Sequence, residues 1–306
     1  MEQAREAPKS IATGLLLAVS GAIAFSAKAI IVKLAYRHGV DAVTLIMLRM
    51  LFALPFFLVI VWWTSRPRNG VPAIRLTRHD WLGIVGLGIT GYYLASFLDF
   101  AGLQYISASL ERLILYLNPT LVLLLGLVLY RRRISQRQAV GMGISYCGVL
   151  LVFGHEVNLT GGDVALGTLL VFLSAASYAI YLSYSGELVQ RLGSLRLVGL
   201  ATSVACVLCI GQFVLLRPLS SVLALAPEVL WLSVLNATLC TVVPVLMVMM
   251  AIERIGSGLA SQVGMVGPMS TITMGVLLLG EPFTGWVVAG TVLVMLGVFV
   301  VSKSKI

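Results

Sequence analysis

The chain has 306 residues, of which 59% are hydrophobic and only 11% charged, and its mean hydropathy is +1.01. A soluble domain carries roughly 45–50% apolar and about 25% charged residues, so a soluble enzyme or binding module is excluded and a polytopic membrane protein is read. The formal net charge of +9 suits nucleic acid by its sign alone, and its placement, given below, makes it a topology signal instead.

Ten apolar runs of about twenty residues, the length a helix needs to cross the hydrocarbon core, are predicted at 11–34, 43–64, 81–105, 107–130, 138–154, 165–185, 195–217, 228–252, 256–279 and 284–302. In the first run, SAKA has the look of a cleavage site. The apolar run continues to Leu34 and nine more follow, so a span is expected rather than a secretory leader. The longest connection, Ser65 to Asp80, leaves no room for a soluble domain. The third run, WLGIVGLGITGYYLASFLDFAGLQY, contains the pattern G-x-G-x-x-G at Gly86–Gly91. A dinucleotide cradle needs a strand before those glycines and a soluble helix after them. Neither exists here, so they are read as close helix packing. Cys147, Cys206, Cys209 and Cys240 all fall inside spans, and Cys206 and Cys209 lack the second ligand pair of a zinc site. No metal and no cofactor are expected.

With ten spans, the termini and every second connection share a side. Fifteen Lys and Arg fall there: Arg5, Lys9, Arg66, Arg68, Arg75, Arg78, Arg131, Arg132, Arg133, Arg137, Arg191, Arg196, Arg254, Lys303 and Lys305. The other side holds Arg37 and Arg217. The positive-inside rule then puts both termini in the cytoplasm. Trp62, Trp63, Trp81, Trp231 and Trp286 fall at helix ends, as an interfacial belt requires.

The chain is duplicated. Ser107–Val152 aligns without gaps over Gly256–Val301 at an offset of 149, with Pro119 over Pro268, Gly126 over Gly275, Gly141 over Gly290 and Gly148 over Gly297. The first and sixth spans align more loosely, with Gly14 over Gly167. The fold expected is all-α, ten transmembrane helices in two inverted five-helix repeats, 1–154 and 155–306, because an odd number of helices reverses the second half. Inverted repeats are common in secondary transporters, whose sites lie near the midplane between the halves. Pro119 and Pro268 interrupt the fourth and ninth spans near that depth and free backbone carbonyls there.

These residues resemble the EamA group of the drug/metabolite transporter superfamily. The likeness is carried by AFSAKAIIVKLAY in the first span, LIMLRMLFALPFFL in the second, the paired Leu-x(8)-Pro segments, and GEPFTGWVVAG before the last. Within that group the chain is most similar to bacterial amino-acid exporters of the aromatic type. The resemblance implies a central cavity lined from the third, fourth and sixth spans, at Tyr92, Asn118 and Tyr178. Such exporters have tryptophan at the positions of Asn118 and Tyr178. Its absence here implies a broader or smaller range of neutral amino acids.

Five charges lie within apolar spans: Lys28, Arg49, Asp99, Glu111 and Arg112. Each costs about 2.5–3.5 kcal/mol on insertion scales, so each needs a partner or a task. All sit five or six residues from the outer surface, about 8–9 Å deep at the helical rise. Asp99 and Arg112 are expected to be neighbours across the hairpin of spans three and four. The cluster reads either as ion pairs holding that hairpin or as an outer gate, with proton coupling through Asp99 or Glu111 a further option.

Residues seven apart share a helix face, which carries the line inward from Asp99 to Tyr92 and from Glu111 to Asn118. Tyr181 joins Tyr178 on span six, and Asn236, Gln262 and Met265 supply further candidate contacts. The expected function is secondary export of neutral amino acids and related metabolites across a bacterial inner membrane, by a monomer in contact only with lipid and substrate. The alternative within the fold is exchange of phosphorylated metabolites or nucleotide sugars. No paired aspartates or His-Asp constellation suggests an intramembrane enzyme.

Overall fold

The computed structural model describes residues 11–67, 74–131, 134–160 and 163–303, without the side chains of residues 130, 159–160, 257–258 and 261–262. Arg5, Lys9, Arg68, Arg132, Arg133 and Lys305 of the basic side lie outside the described residues. The helices are α1 (Ile11–Tyr36), α2 (Ala42–Thr64), α3 (Arg78–Leu103), α4 (Ala108–Leu115 and Asn118–Tyr130), α5 (Gln136–Thr160), α6 (Asp163–Leu192) and α7 (Ser194–Leu216). They continue as α8 (Pro227–Gly256), α9 (residues 257–264 and Val266–Leu279) and α10 (Gly285–Lys303).

Among the described residues nine of these are long and apolar enough to cross a membrane, and the Val266–Leu279 piece of α9 is a shorter apolar helix. Gly256, at φ +78°, turns the chain out of α8 at the start of the run expected at 256–279, and that run is split at Met265, ahead of Pro268. α5 runs on to Thr160, so the expected division of the halves at 154/155 falls inside a helix.

Helix packing obeys a two-fold exchange of the halves. α5 packs on α10 and α2 on α7, and each such pair is its own image. α1 packs on α8 as α6 packs on α3, α1 on α9 as α6 on α4, and α2 on α8 as α7 on α3. Local geometry repeats at the offset of the sequence duplication. A π-helical turn begins at Ile89 in α3 and at Thr238 in α8. α4 and α9 end in left-handed residues, Arg131 at φ +50° and Gly280 at φ +72°. α3 starts at a capping box in which Thr77 and Asp80 exchange backbone and side-chain hydrogen bonds.

The glycines set the tightest crossings. A Cβ on Gly148 would lie 2.6 Å from the Gly290 carbonyl oxygen, and one on Gly141 would lie 2.8 Å from that of Gly297. α5 and α10 thus touch backbone to backbone, through the glycines the duplication pairs, as small residues allow in lipid. In the G-x-G-x-x-G stretch, Gly88 lies against α7, where a Cβ would stand 2.7 Å from the Ala201 carbonyl, and Gly91 lies under the Tyr181 ring. That stretch is a packing surface.

Gly148→Val should therefore destabilise the protein by about 1–3 kcal/mol, the usual cost of overpacking. Gly143→Ala on the same helix, where nothing lies within 4 Å, should not destabilise and should gain up to about 1 kcal/mol of helix propensity. Thermal unfolding of the two variants in one detergent checks the contrast.

Candidate substrate cavity and its seal

A cavity of about 660 Å³ lies between the halves. Val189, Ser194, Ile252 and Ser302, near helix ends on the basic face, line one end of it, and Phe25 and Arg112 line the other. It is thus accessible from the basic face and ends short of the opposite face. Its walls are mostly aliphatic, with an aromatic group from α3 and α6. Tyr178 and Tyr181 stack with ring centres 5.4 Å apart, and Tyr92 meets Tyr181 edge-on at 5.2 Å with the two hydroxyls 3.2 Å apart.

The helix breaks form part of this cavity. Proline has no N–H, so Pro119 and Pro268 leave the carbonyls four residues earlier, Leu115 and Gly264, without their helical donors. Both find side chains: the Asn118 amide donates to the Leu115 oxygen at 2.7 Å and the Tyr116 hydroxyl to the Gly264 oxygen at 2.5 Å. These two carbonyls are therefore already bonded within the protein. Pro119 lines the cavity, whereas Pro268 is buried behind it.

The five intramembrane charges separate into three environments. Lys28 reaches from α1 between α3 and α4, with its Nζ 2.5 Å from Asp99 Oδ2 and 3.0 Å from Glu111 Oε1. Asp99 thus pairs with Lys28 and not with Arg112, because the lysine, on the third helix of that junction, enters between them. Arg49 stands apart, donating from Nε to the Thr241 hydroxyl at 3.1 Å and facing the Phe100 ring at 5.2 Å. Arg112 alone of the five lines the cavity. The triad links α1, α3 and α4 beneath the opposite face, and removing one member would leave a buried charge uncompensated, typically at a cost of about 3–5 kcal/mol.

Above the triad, the N-terminus of α4 is tied on three sides. Ser107 caps it, accepting from the Leu110 amide at 3.0 Å. Glu156 of α5 accepts from the Ser107 hydroxyl and amide, while Glu281, before α10, accepts from the Ala108 amide at 2.7 Å and the Ser109 hydroxyl at 2.8 Å. Carboxylates at a helix N-terminus satisfy its free amides and complement its dipole. Lys33 donates to the Ile106 carbonyl at 2.6 Å and Arg37 to that of Leu279 at 2.6 Å. At the rim, Arg217 pairs with Asp41 at 3.0 Å. Burial pushes the Asp41 carboxyl up, but hydrogen bonds from Thr44 and Arg217 outweigh it and hold the group below its ordinary value.

Tyr92, Tyr178, Tyr181 and Met265 line the cavity. Asn118 does not, its amide being spent on the helix break. Asn236 is fully buried outside the cavity, with neither amide atom hydrogen-bonded among the described residues. The Gln262 side chain lies outside the described residues. Phe25, Tyr116 and the Glu156–Glu281 tie are the features sequence reasoning missed. For Tyr116 a signal existed, since it sits one helical turn beyond Arg112 and shares its face.

Comparison with known proteins fits this architecture. An uncharacterized transporter of Bacillus subtilis, YcbK, is 29% identical over 283 residues, covering 89% of this chain and 87% of its own. An uncharacterized transporter of Archaeoglobus fulgidus is 28% identical over 73% of this chain and 76% of its own. A Salmonella typhimurium protein named "Probable amino-acid metabolite efflux pump" is 22% identical over 71% of this chain and 75% of its own. A crystal structure superposes with a TM-score of 0.62 at 17% identity, covering 95% of this chain and 96% of the other, and so shares the fold. The model of the EamA-like transporter family matches twice, at residues 12–154 and 165–303, and the chain therefore belongs to the EamA-like transporter family.

Proposed function

We propose that the protein is a secondary transporter that exports neutral amino acids and related small metabolites from a bacterial cytoplasm by alternating access. The observation that carries this reading is the cavity between the inverted halves, sealed toward one face and accessible from the other. Its volume of about 660 Å³ falls within the roughly 300–1,000 Å³ of small-molecule sites. The excess of Lys and Arg on the accessible face supports a cytoplasmic placement of that face and of both termini. The name of the Salmonella relative supports amino-acid metabolites as substrates. Tyr178 and Tyr181 offer flat apolar contact to a substrate side chain, and Met265 an adaptable one. Exchange of phosphorylated metabolites is less well supported. Arg112 is the only charged residue among the described cavity lining, and one cation leaves a phosphate dianion only half neutralised.

The test is flux of labelled threonine, methionine and phenylalanine into proteoliposomes preloaded with unlabelled competitor. Uptake accelerated over empty vesicles is expected, and failure of the whole panel with folded protein would sink the reading. Tyr178→Ala should change the rank order of the three substrates by about tenfold while protein remains in the membrane, on the scale of one lost aromatic contact. An unaltered rank order would remove Tyr178 from the site.

The seal gives a second prediction. With the exposed Cys147 replaced by serine and Ala22→Cys placed in the cavity lining, a membrane-impermeant maleimide should label poorly from the opposite face. Glu281→Gln, which weakens the tie on α4, should raise that rate by about tenfold, the equivalent of one charged hydrogen bond. An unchanged rate would mean that this tie does not limit opening.

A further inference from the structure

At the closed end of the cavity, a buried cation stands without an anion. Arg112 is 8% exposed, and no carboxylate among the described residues lies within 4 Å of it, since Lys28 takes both Asp99 and Glu111. The five intramembrane charges sum to one positive. The guanidinium makes a single hydrogen bond, from Nη2 to the Ser26 hydroxyl at 3.1 Å, and its Nε is buried with no partner among the described residues. The rings of Phe25 and Tyr116 flank it, with centroids 5.5 Å and 5.6 Å away.

The backbone is shaped around this group. Gly267, one residue before Pro268, has no side chain where a Cβ would come 2.6 Å from Nη2. Ser26 fixes the guanidinium through its hydroxyl, which also bonds to the Ala22 and Gly267 carbonyls at 2.7 Å and 3.0 Å. The result is a planar cation held by one edge in an aromatic sleeve, in the lining of the cavity. A guanidinium in that setting recognises a carboxylate by paired N–H···O bonds, which an ammonium at the same point could not match in geometry.

We infer that Arg112 is the anchor for the carboxylate of the transported molecule, so that the substrate class is monocarboxylates, zwitterionic amino acids among them. This rests on the transport reading above and deepens it. The same contact would give Arg112 the anion that Lys28 withholds from it.

The test compares acids with their amides. In wild-type proteoliposomes, unlabelled L-methionine should compete with labelled methionine at least about tenfold better than L-methioninamide, the scale of one charge-assisted contact. Arg112→Gln should abolish that discrimination and Arg112→Lys should keep part of it. Because either variant could fold poorly, a second readout is the thermal shift produced by sodium propionate, expected in wild type and absent in Arg112→Gln. Equal competition by acid and amide in wild type, or an equal propionate shift in Arg112→Gln, overturns the anchor. Propionate stabilisation of wild type alone, with no amino-acid exchange, upholds the anchor and refutes amino acids as cargo. No propionate shift in wild type, with acid and amide undiscriminated, refutes it outright.

Discussion

In lipid every backbone carbonyl needs a donor from within the protein, and the architecture of the cavity follows from how this chain meets that demand at two prolines. Pro119 and Pro268 each remove a helical donor, and the gaps are filled by Asn118 and Tyr116, both on α4. The second bond crosses between the halves, so the break in α9 is repaired by a side chain from α4. The bends this permits bring Tyr116, Pro119 and Met265 into the lining of one cavity. The same break puts Gly267 beside Arg112, where no side chain competes with the guanidinium for space.

The packing is two-fold, but the polar chemistry is not. At the offset of 149, Asp99, Glu111 and Arg112 correspond to Val248, Ala260 and Ser261, while the looser match of the first and sixth helices, at 153, puts Lys28 over Tyr181. Glu156 and Glu281 correspond to Lys305 and Arg132, and the serines they hold to Gly256 and Gly258. The Lys28 triad and the carboxylate tie on α4 are therefore not repeated at the exchanged positions, and the basic face has a different ion pair, Arg191 Nη1 to the buried Asp80 Oδ1 at 2.7 Å. Of the exchanged positions, Tyr181, Val248, Gly256 and Ala260 carry no charge, while Arg132 and Lys305 lie outside the described residues.

Much of the fold was legible because lipid enforces it. Apolar runs of fixed length, loops sorted by charge and glycines at a constant spacing are each imposed by one physical demand, and the α5–α10 crossing matches the glycine pairs that the duplication exposed. The site was less legible, for a specific reason. Which residue pairs with which depends on a third helix, so adjacency along one hairpin suggested Asp99 with Arg112, whereas Lys28 of α1 intervenes. Asn118 looked like a contact for substrate because it sits at the break, yet being at the break commits its amide to the backbone. The split in α9 came at Met265, three residues ahead of Pro268, while the positive φ of Gly256 marks the turn from α8 into α9.

The α5–α10 and α2–α7 pairs are their own images under the two-fold exchange, so the pseudosymmetry axis runs through both. If the halves trade conformations during a cycle, points on that axis are the ones that need not travel. The glycine crossing of α5 on α10 then lies at the fulcrum, where the two backbones meet among the side chains of Val152, Leu293 and Val294. Strain introduced there falls equally on both ends of the stroke, changing how well the machine holds together without changing which way it leans. Strain introduced at the α4 tie, off the axis and present once, does the reverse.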